Sequence, residues 1–252
     1  MTIQYCSDLH LEFPRNKMFL ERFPLQPEGV VLILAGDILP FHLHKKQTGF
    51  IDFVADNFEM VYWAPGNHEY YGHDAATVAD PLLEKLRSNV WLVNNRVIAY
   101  KDVQFICSTL WSKIPVVNAL DIQRSISDFH AIRWQGKKLS AERFNQLHEN
   151  SVAFLQRAFK ETNTMKTVVV THHVPTLYQY PDQYMNSPLN GAFVTELYDL
   201  IFGCGAAYWI YGHHHSNVGA FAIGETTLLT NQLGYVEYGE HAVFSRNAVR
   251  NI

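Results

Sequence analysis

The chain has 252 residues, of which 48% are hydrophobic and 17% are charged, so it can form a sizeable core and is too polar throughout for a membrane protein. These proportions also exclude disordered and fibrous classes. The formal net charge is −4, yet 13 His stand against 20 Lys and Arg together, and histidine is a frequent metal ligand and acid/base catalyst.

Short apolar runs rich in β-branched and aromatic residues alternate with stretches of helical periodicity. The runs predict buried strands at Ile3–Cys6, Val30–Ala35, Met60–Ala64, Val103–Cys107, Val168–Thr171, Ala206–Tyr211, Val218–Ile223 and Thr226–Thr230. The periodic stretches predict helices at Phe41–Asn57, Asp74–Ser88, Ser140–Thr162 and Phe193–Phe202. This alternation indicates an α/β fold, and the strand-only stretch after Tyr211 predicts an added antiparallel portion.

Two segments fit neither pattern, and we expect residues 112–139 and 176–192 to be loops with short helical pieces. Long irregular segments are either loops that cover a substrate or plain surface connections, and their length alone does not decide between the two. Because no repeat, low-complexity tract or linker interrupts the chain, we expect a single domain over residues 1–252.

Charge and cysteine content bear on partners and compartment. Long nucleic acid is disfavoured, because the net charge is negative and the longest basic runs are the pairs Lys45–Lys46 and Lys137–Lys138. Three well-separated cysteines without a CxxC spacing predict neither a disulfide framework nor a thiolate zinc site. We find no secretory signal or membrane span and expect a cytoplasmic protein.

Five of the apolar runs end in polar clusters made of metal-ligand residue types. The clusters hold Asp8 and His10; Asp37; Asn67, His68 and Glu69; His172 and His173; and His213, His214 and His215. Because ligands bind at the carboxyl ends of strands in open α/β sheets, we expect the five clusters to meet at one site.

Local geometry gives more detail. In an extended chain residues i and i+2 point to the same side, so Asp8 is expected to pair with His10, and His213 with His215. A glycine precedes Asp37, and others precede Asn67 and His213. Glycine allows a sharp turn and close approach to a bound group.

The donor types favour particular metals. Asp, Asn and His without sulfur suit Mn, Fe or Zn. Seven candidate ligands exceed the needs of one ion, whereas two ions about 3.5–4 Å apart that share a carboxylate fit the count and are typical of phosphoryl-transfer sites.

In this order, the motifs D-x-H, G-D, G-N-H-E, H-H and G-H-x-H resemble those of the calcineurin-like metallophosphoesterases. The resemblance runs from SDLHLE near the start to TNQLGY at residues 230–235, which is nearly the whole chain. One motif alone is weak, but the ordered set is highly specific. The resemblance implies an α/β fold, a four-layer sandwich of two mixed β-sheets flanked by α-helices.

The resemblance also implies a ligand set and a reaction. It places Asp8, His10, Asp37 and His215 on one metal ion, and Asp37, Asn67, His172 and His213 on a second. With Asp37 as the bridge, two divalent ions and two aspartates leave a net charge of about +2, which attracts phosphate and lowers the pKa of a bound water. We therefore expect a phosphoester hydrolase that uses a metal-bridging hydroxide on a small or exposed phosphate mono- or diester, without a phospho-enzyme.

Other roles follow from position. His68 matches the family histidine that bonds a phosphate oxygen or protonates the leaving group, and related lipid A pathway pyrophosphatases, which typically have Arg there, are disfavoured. Glu69 is expected to orient a ligating histidine. The fourth motif reads His-His-Val-Pro where His-His-Pro-Pro is frequent, and His214 stands where Thr is common, but neither difference removes a ligand.

Several residues keep two interpretations. His173 and His214 either support the ligands or have no role, and Asp128 and Arg133 either touch substrate or form a surface ion pair. Tyrosines in the second loop either stack on an aromatic substrate group or pack on the core, namely Tyr178, Tyr180 and Tyr184. Isolated histidines are read as surface or hydrogen-bonded structural residues: His42, His44, His73, His130, His148 and His241. Four tryptophans are assigned to the core: Trp63, Trp91, Trp111 and Trp209.

A function of another class is also compatible with the motifs. Some relatives keep this fold as a catalytically silent scaffold for protein–protein contacts. Such scaffolds usually lack the His68 equivalent or several ligands, whereas this chain has the full set.

Overall fold

The computed structural model describes residues 1–161 and 164–252. Its strands are β1 (Thr2–Cys6), β2 (Val31–Ala35), β3 (Met60–Ala64), β4 (Leu82–Arg87), β5 (Val90–Asn94), β6 (Arg96–Tyr100), β7 (Val103–Ser108), β8 (Arg133–Trp134), β9 (Lys137–Lys138), β10 (Lys166–Thr171), β11 (Tyr208–Tyr211), β12 (Phe221–Ile223), β13 (Thr226–Thr230) and β14 (Val249–Asn251). The helices are α1 (Pro14–Arg22), α2 (Gly49–Asn57), α3 (Ala119–Ser125), α4 (Asp128–Ala131), α5 (Ala141–Lys160) and α6 (Tyr198–Gly203).

The long strands form two mixed sheets of six strands each. The first has the order β14-β1-β2-β3-β5-β4 and the second has the order β12-β13-β11-β10-β7-β6. The four inner strands of each sheet run parallel, and the two edge strands of each pair antiparallel to their neighbours. The late antiparallel portion predicted from the sequence is β12.

Side-chain alternation along the strands builds four layers. In β2, Ile33 packs between the two sheets with residues such as Phe105 of β7, whereas Leu32 and Leu34 face the α1 and α2 side. On the outer face of the second sheet, Trp209 packs with side chains of α5 and α6. The predicted α/β sandwich of two mixed sheets flanked by helices is confirmed.

The predicted strands are all present, within a few residues of their expected ends. The long helix predicted from Ser140 is present as α5. It begins there because the Ser140 hydroxyl accepts a hydrogen bond from the Arg143 N–H and caps the first turn. Its predicted end at Thr162 lies outside the described residues. No helix in residues 1–161 and 164–252 is long and apolar enough to cross a membrane.

Three helix predictions need correction. Residues 74–88 form a short 3-10 turn followed by the edge strand β4. The pattern resembles a helix because Leu82 and Leu86 share a face in a strand as they do in a helix. The helix expected at 41–57 begins only at Gly49, a residue type that disfavours a helix interior. The helix expected at 193–202 begins at Tyr198, because Val194 pairs with Val174 in a β-bridge.

Helix α1 and several strands were not predicted. In α1 only Asn16 and Leu20 are buried, so it lacks a wide apolar stripe. Strand β6 is an exposed edge strand, and β14 lies within the last residues of the chain. The missed elements are α1, β5, β6 and β14, together with the two-residue strands β8 and β9.

Candidate metal centre

The five polar clusters meet at the carboxyl ends of β1, β2, β3, β10 and β11. Backbone hydrogen bonds join them, from Asp8 N–H to the Gly36 carbonyl (2.9 Å) and from Gly212 N–H to the His172 carbonyl (3.0 Å). The His213 N–H donates to the Asp8 carboxylate at 3.0 Å, which links the first sheet to the second. The site therefore lies where the carboxyl ends of strands from both sheets meet.

Five of the seven candidate ligands have positive φ. Their values are 56° for Asp8, 46° for His10, 56° for Asp37, 82° for His213 and 52° for His215. This left-handed region is unfavourable for residues with a Cβ, and it persists where the surrounding structure holds it, often at functional sites. It also breaks strand alternation, so the expected pairing of His213 with His215 is wrong, and the two face different ligand groups.

The first group combines Asp8, His10 and His215. The Nε2 atoms of His10 and His215 are 3.0 Å apart, and His215 Nε2 lies 3.5 Å from Asp8 Oδ1. Asp37 Oδ2 faces the same point, 3.8 Å from His10 Nε2. These four residues are the ones that the family resemblance assigns to one ion.

The second group combines Asp37, His172 and His213. His172 Nε2 lies 3.1 Å from His213 Nδ1, 3.1 Å from Asn67 Oδ1 and 3.3 Å from Asp37 Oδ1. The two oxygens of Asp37 thus face different groups, Oδ2 the first and Oδ1 the second. This is the geometry that a bridging carboxylate needs.

In each of the four histidines among the candidate ligands, one ring nitrogen points into a ligand group and the other, called the outer nitrogen here, points away from it. The contacts of the outer nitrogens test whether the site suits cations. His172 Nδ1 lies 2.9 Å from the Ala35 carbonyl, and His213 Nε2 lies 3.1 Å from the Ala192 carbonyl. In the first group, the acceptors are Glu12 for His10 Nδ1 (3.3 Å) and Glu240 for His215 Nδ1 (2.8 Å). An acceptor on the outer nitrogen leaves the inner nitrogen as a lone-pair donor, so the donor set fits two metal ions.

The charge state of Asp37 agrees with a ligand role. Burial alone raises the pKa of this carboxyl, but the neighbouring His172 and His68, together with His10, hold it well below its usual value. The side chain is 2% exposed. It is therefore a buried carboxylate surrounded by imidazoles.

His68 is held beside the first group by two contacts. Its Nδ1 lies 2.9 Å from Glu12 Oε1, and its ring stacks on Tyr71 at 4.0 Å. Burial opposes a charge on the ring, but Asp37 and Glu12 outweigh it and raise the pKa of His68. Its Nε2 faces the Asp37 carboxylate at 4.0 Å.

Among the described residues, the hydrogen bonds of Glu69 go to backbone N–H groups and to Trp63, so the expected role as an orienting residue for a histidine is wrong. Its carboxylate accepts hydrogen bonds from the N–H groups of Asp37 (2.9 Å), Ile38 (2.8 Å) and Gly66 (2.6 Å) and from Trp63 Nε1 (2.9 Å). Glu69 therefore fixes the backbone turns that carry Asp37 and Asn67.

Asp128 takes the orienting role at the second group. Its Oδ1 accepts from Asn67 Nδ2 (2.8 Å) and from the Tyr71 hydroxyl (2.7 Å), which directs Asn67 Oδ1 toward His172. Asp128 is 1% exposed, so the interpretation as a surface ion pair is wrong for it. Arg133 is exposed and donates to the Gly136 carbonyl, away from the site.

Glu12 and Glu240 are site residues that sequence reasoning missed. Glu12 stands two positions after His10, so its place inside the SDLHLE motif is a signal that could have found it. Glu240 is 25 residues from His215 and belongs to no motif. Only the folded chain brings it to the ring.

The remaining histidines divide by contact. The His173 ring packs 4.1 Å from that of His213, and burial lowers its pKa well below the usual value, so it supports a candidate ligand through packing. His214 Nδ1 accepts from Gln232 Nε2 at 2.8 Å. His44 and His148 are buried and hydrogen-bonded to the carbonyls of Leu39 and Trp111, so they are structural rather than surface residues.

A cavity of about 470 Å³ opens over the two groups. Residues 125–128, where α3 ends and α4 begins, form part of its wall, as do Tyr180, Tyr184, Ser187, Leu189 and Asn190, whereas Tyr178 does not line it. Tyr178 instead packs with Tyr198 and Phe221. Both irregular segments predicted from the sequence thus border the candidate site.

Comparisons with known proteins show the family and the fold of the chain. The model of the calcineurin-like phosphoesterase family matches residues 1–217, and the chain belongs to this family. An uncharacterized protein of Acanthamoeba polyphaga mimivirus is 30% identical over 92% of this chain and 91% of its own length. The crystal structure of a phosphopantetheinyl hydrolase from Mycobacterium tuberculosis has a similar fold, with a TM-score of 0.71 and 19% identity over 100% of this chain and 95% of that one.

Proposed function

We propose that the chain is a two-metal-dependent phosphoester hydrolase that acts on a small or exposed phosphate mono- or diester. The observation that carries the proposal is the outward hydrogen bonding of four histidines, which turns their inner nitrogens toward two common points. One ion would be held by Asp8, His10, Asp37 and His215, and the other by Asp37, Asn67, His172 and His213.

The donors are carboxylate, amide and imidazole groups, which suit Mn, Fe or Zn. When bound, two such ions supply a hydroxide for in-line attack on phosphorus and positive charge for the non-bridging oxygens. Asp37 contributes one carboxylate oxygen to each group, so both halves of the site depend on it.

His68 is the proposed proton donor to the leaving group. Glu12 accepts from its Nδ1, so the proton that moves is the one at Nε2, on the side of Asp37. The stack on Tyr71 fixes the ring plane. General acid catalysis of this kind contributes about 10²- to 10⁴-fold to a rate.

Substrate class and compartment complete the proposal. A net charge of −4 and basic runs no longer than a pair favour a small phosphoester over long nucleic acid. The three cysteines are free thiols, which agrees with a reducing, cytoplasmic compartment.

The test is hydrolysis of bis(p-nitrophenyl) phosphate and p-nitrophenyl phosphate by the purified protein with added Mn²⁺, before and after chelation. We expect activity that chelation removes and Mn²⁺ restores, and a loss of about 100-fold or more in His68→Ala. A metal-loaded protein that is inactive on every phosphoester tried, while His68→Ala binds a partner protein as the parent does, would support the scaffold function instead.

A further inference from the structure

The geometry of the cavity points to a narrower substrate class. We infer that the site selects esters in which a single phosphate carries a neutral aromatic or apolar group, and that it discriminates against substrates with a second phosphate. This inference rests on the proposed function, since it concerns the organic part of the ester that the metal centre would cleave.

The charges on the cavity wall support discrimination against a second phosphate. Besides the candidate ligand Asp37, the carboxylates of Asp128 and Glu240 line the cavity, and among the described residues no Lys or Arg side chain does. The lining histidines all belong to the metal-ligand motifs or adjoin them, where the reacting phosphate would bind. A second phosphate would enter the cavity without a cationic partner, and an unpaired charge at a partly buried site is unfavourable.

The apolar surface of the wall supports selection of a neutral aromatic or apolar group. Aromatic rings surround the space over the ligand groups, among them Tyr71, Tyr184, Phe193 and Tyr235. Tyr71 already stacks on His68, and Tyr235 packs on His10 at 4.8 Å, so both rings reach from the metal centre into the cavity. Rings placed in this way favour flat, apolar groups through burial and stacking.

The first experiment uses one pair of chromogenic diesters. Thymidine 5′-(p-nitrophenyl phosphate) and its 3′-phosphorylated form release the same p-nitrophenolate and differ only in the second phosphate. For the Mn²⁺-loaded protein we expect the 3′-phosphate to lower kcat/KM by at least about tenfold, because no cation receives it.

A matched pair of variants tests whether the cavity wall causes this difference. Ser127 is exposed and lines the cavity, so Ser127→Lys supplies the missing cation and is expected to recover most of the kcat/KM lost with the 3′-phosphate. Ser88 is also exposed but lies outside the cavity, so Ser88→Lys should leave the ratio between the two substrates unchanged.

The second experiment compares bis(p-nitrophenyl) phosphate with methyl p-nitrophenyl phosphate, which share a leaving group. We expect the parent protein to prefer the first by about tenfold, and Tyr184→Ala to reduce that preference. Tyr178→Ala is the control, because Tyr178 is 47% exposed against 40% for Tyr184 and does not line the cavity.

The outcomes separate the two proposals. Equal hydrolysis of both thymidine substrates, or a preference for the doubly phosphorylated one, overturns the substrate class and leaves the phosphoesterase function standing. Equal rates on the aryl and methyl diesters overturn the aromatic preference. Absence of Mn²⁺-dependent hydrolysis of any of these esters overturns the proposed function itself.

Discussion

Individual side chains at this site are fixed mainly by hydrogen bonds on the far side of each ring. Glu12 serves two rings at once, since its Oε1 lies 2.9 Å from His68 Nδ1 and 3.3 Å from His10 Nδ1. It is 14% exposed. One carboxylate thus positions a proposed metal ligand and the proposed proton donor.

Glu12→Gln is expected to lower kcat by about 10- to 100-fold while leaving KM within a few-fold, because a neutral amide replaces the carboxylate that holds the proton on His68 Nδ1. The loss should be larger for phenyl phosphate than for p-nitrophenyl phosphate, whose leaving group needs little protonation. Steady-state kinetics on the two esters measures it. An equal loss on both would mean that Glu12 acts on the fold or the metals and not through His68.

At the scale of elements, tight glycine turns after the strands bring the ligands together. Gly36 has φ +87°, and a Cβ there would lie against the ring of His172. At Gly66 there is no room for a side chain, since a Cβ would contact Asp37 Oδ1 and lie 2.7 Å from His172 Cδ2. These turns let two strands from one sheet approach a histidine from the other.

Gly66→Ala is therefore expected to displace Asp37 and His172 and to lower kcat by about 100-fold, together with metal content. Gly49→Ala is the control, because no described atom beyond its chain neighbours and its own helix backbone lies within 4 Å of a Cβ at that position. Metal analysis and kinetics on both variants check the prediction. Full metal content and activity in Gly66→Ala would show that the close approach is not required.

Strands and ligand motifs differ in how clearly the sequence predicts them. Strand β2 was found because all five of its residues are apolar, and β10 because Val168–Val170 form a short apolar run. Strand β4 looks helical because Leu82 and Leu86 share a face in either structure. The candidate ligands were found because each follows a strand in a short motif. Glu240 and Asp128 were not assigned their contacts, since only tertiary structure joins them to His215 and Asn67.

At the scale of the whole molecule, buried histidines outside the site link stability to pH. Burial lowers the pKa of His44 to about 4, from 6.5 in an exposed imidazole, despite the hydrogen bond from its Nε2 to the Leu39 carbonyl. Between these values the unfolded chain binds a proton at His44 and the folded chain does not. Stability is therefore lost as pH falls below 6.5 toward 4.

We expect His44 to account for about 2 kcal/mol of the unfolding free energy lost between about pH 7 and about pH 5. His44→Gln can keep a donor near Leu39 but cannot titrate, so its stability should fall less over this range than that of the parent. His42→Gln, at an exposed neighbouring position, is the control. Urea unfolding at both pH values measures the difference, and an unchanged pH dependence in His44→Gln would contradict the assignment.

A pair of metal ions that share Asp37 would be detected as metal content per chain by inductively coupled plasma mass spectrometry. We expect about two ions in the parent protein and in His73→Ala, and a loss of both metal and turnover in Asp37→Ala, because each ligand group loses one carboxylate oxygen. Two ions still bound in Asp37→Ala would contradict the account.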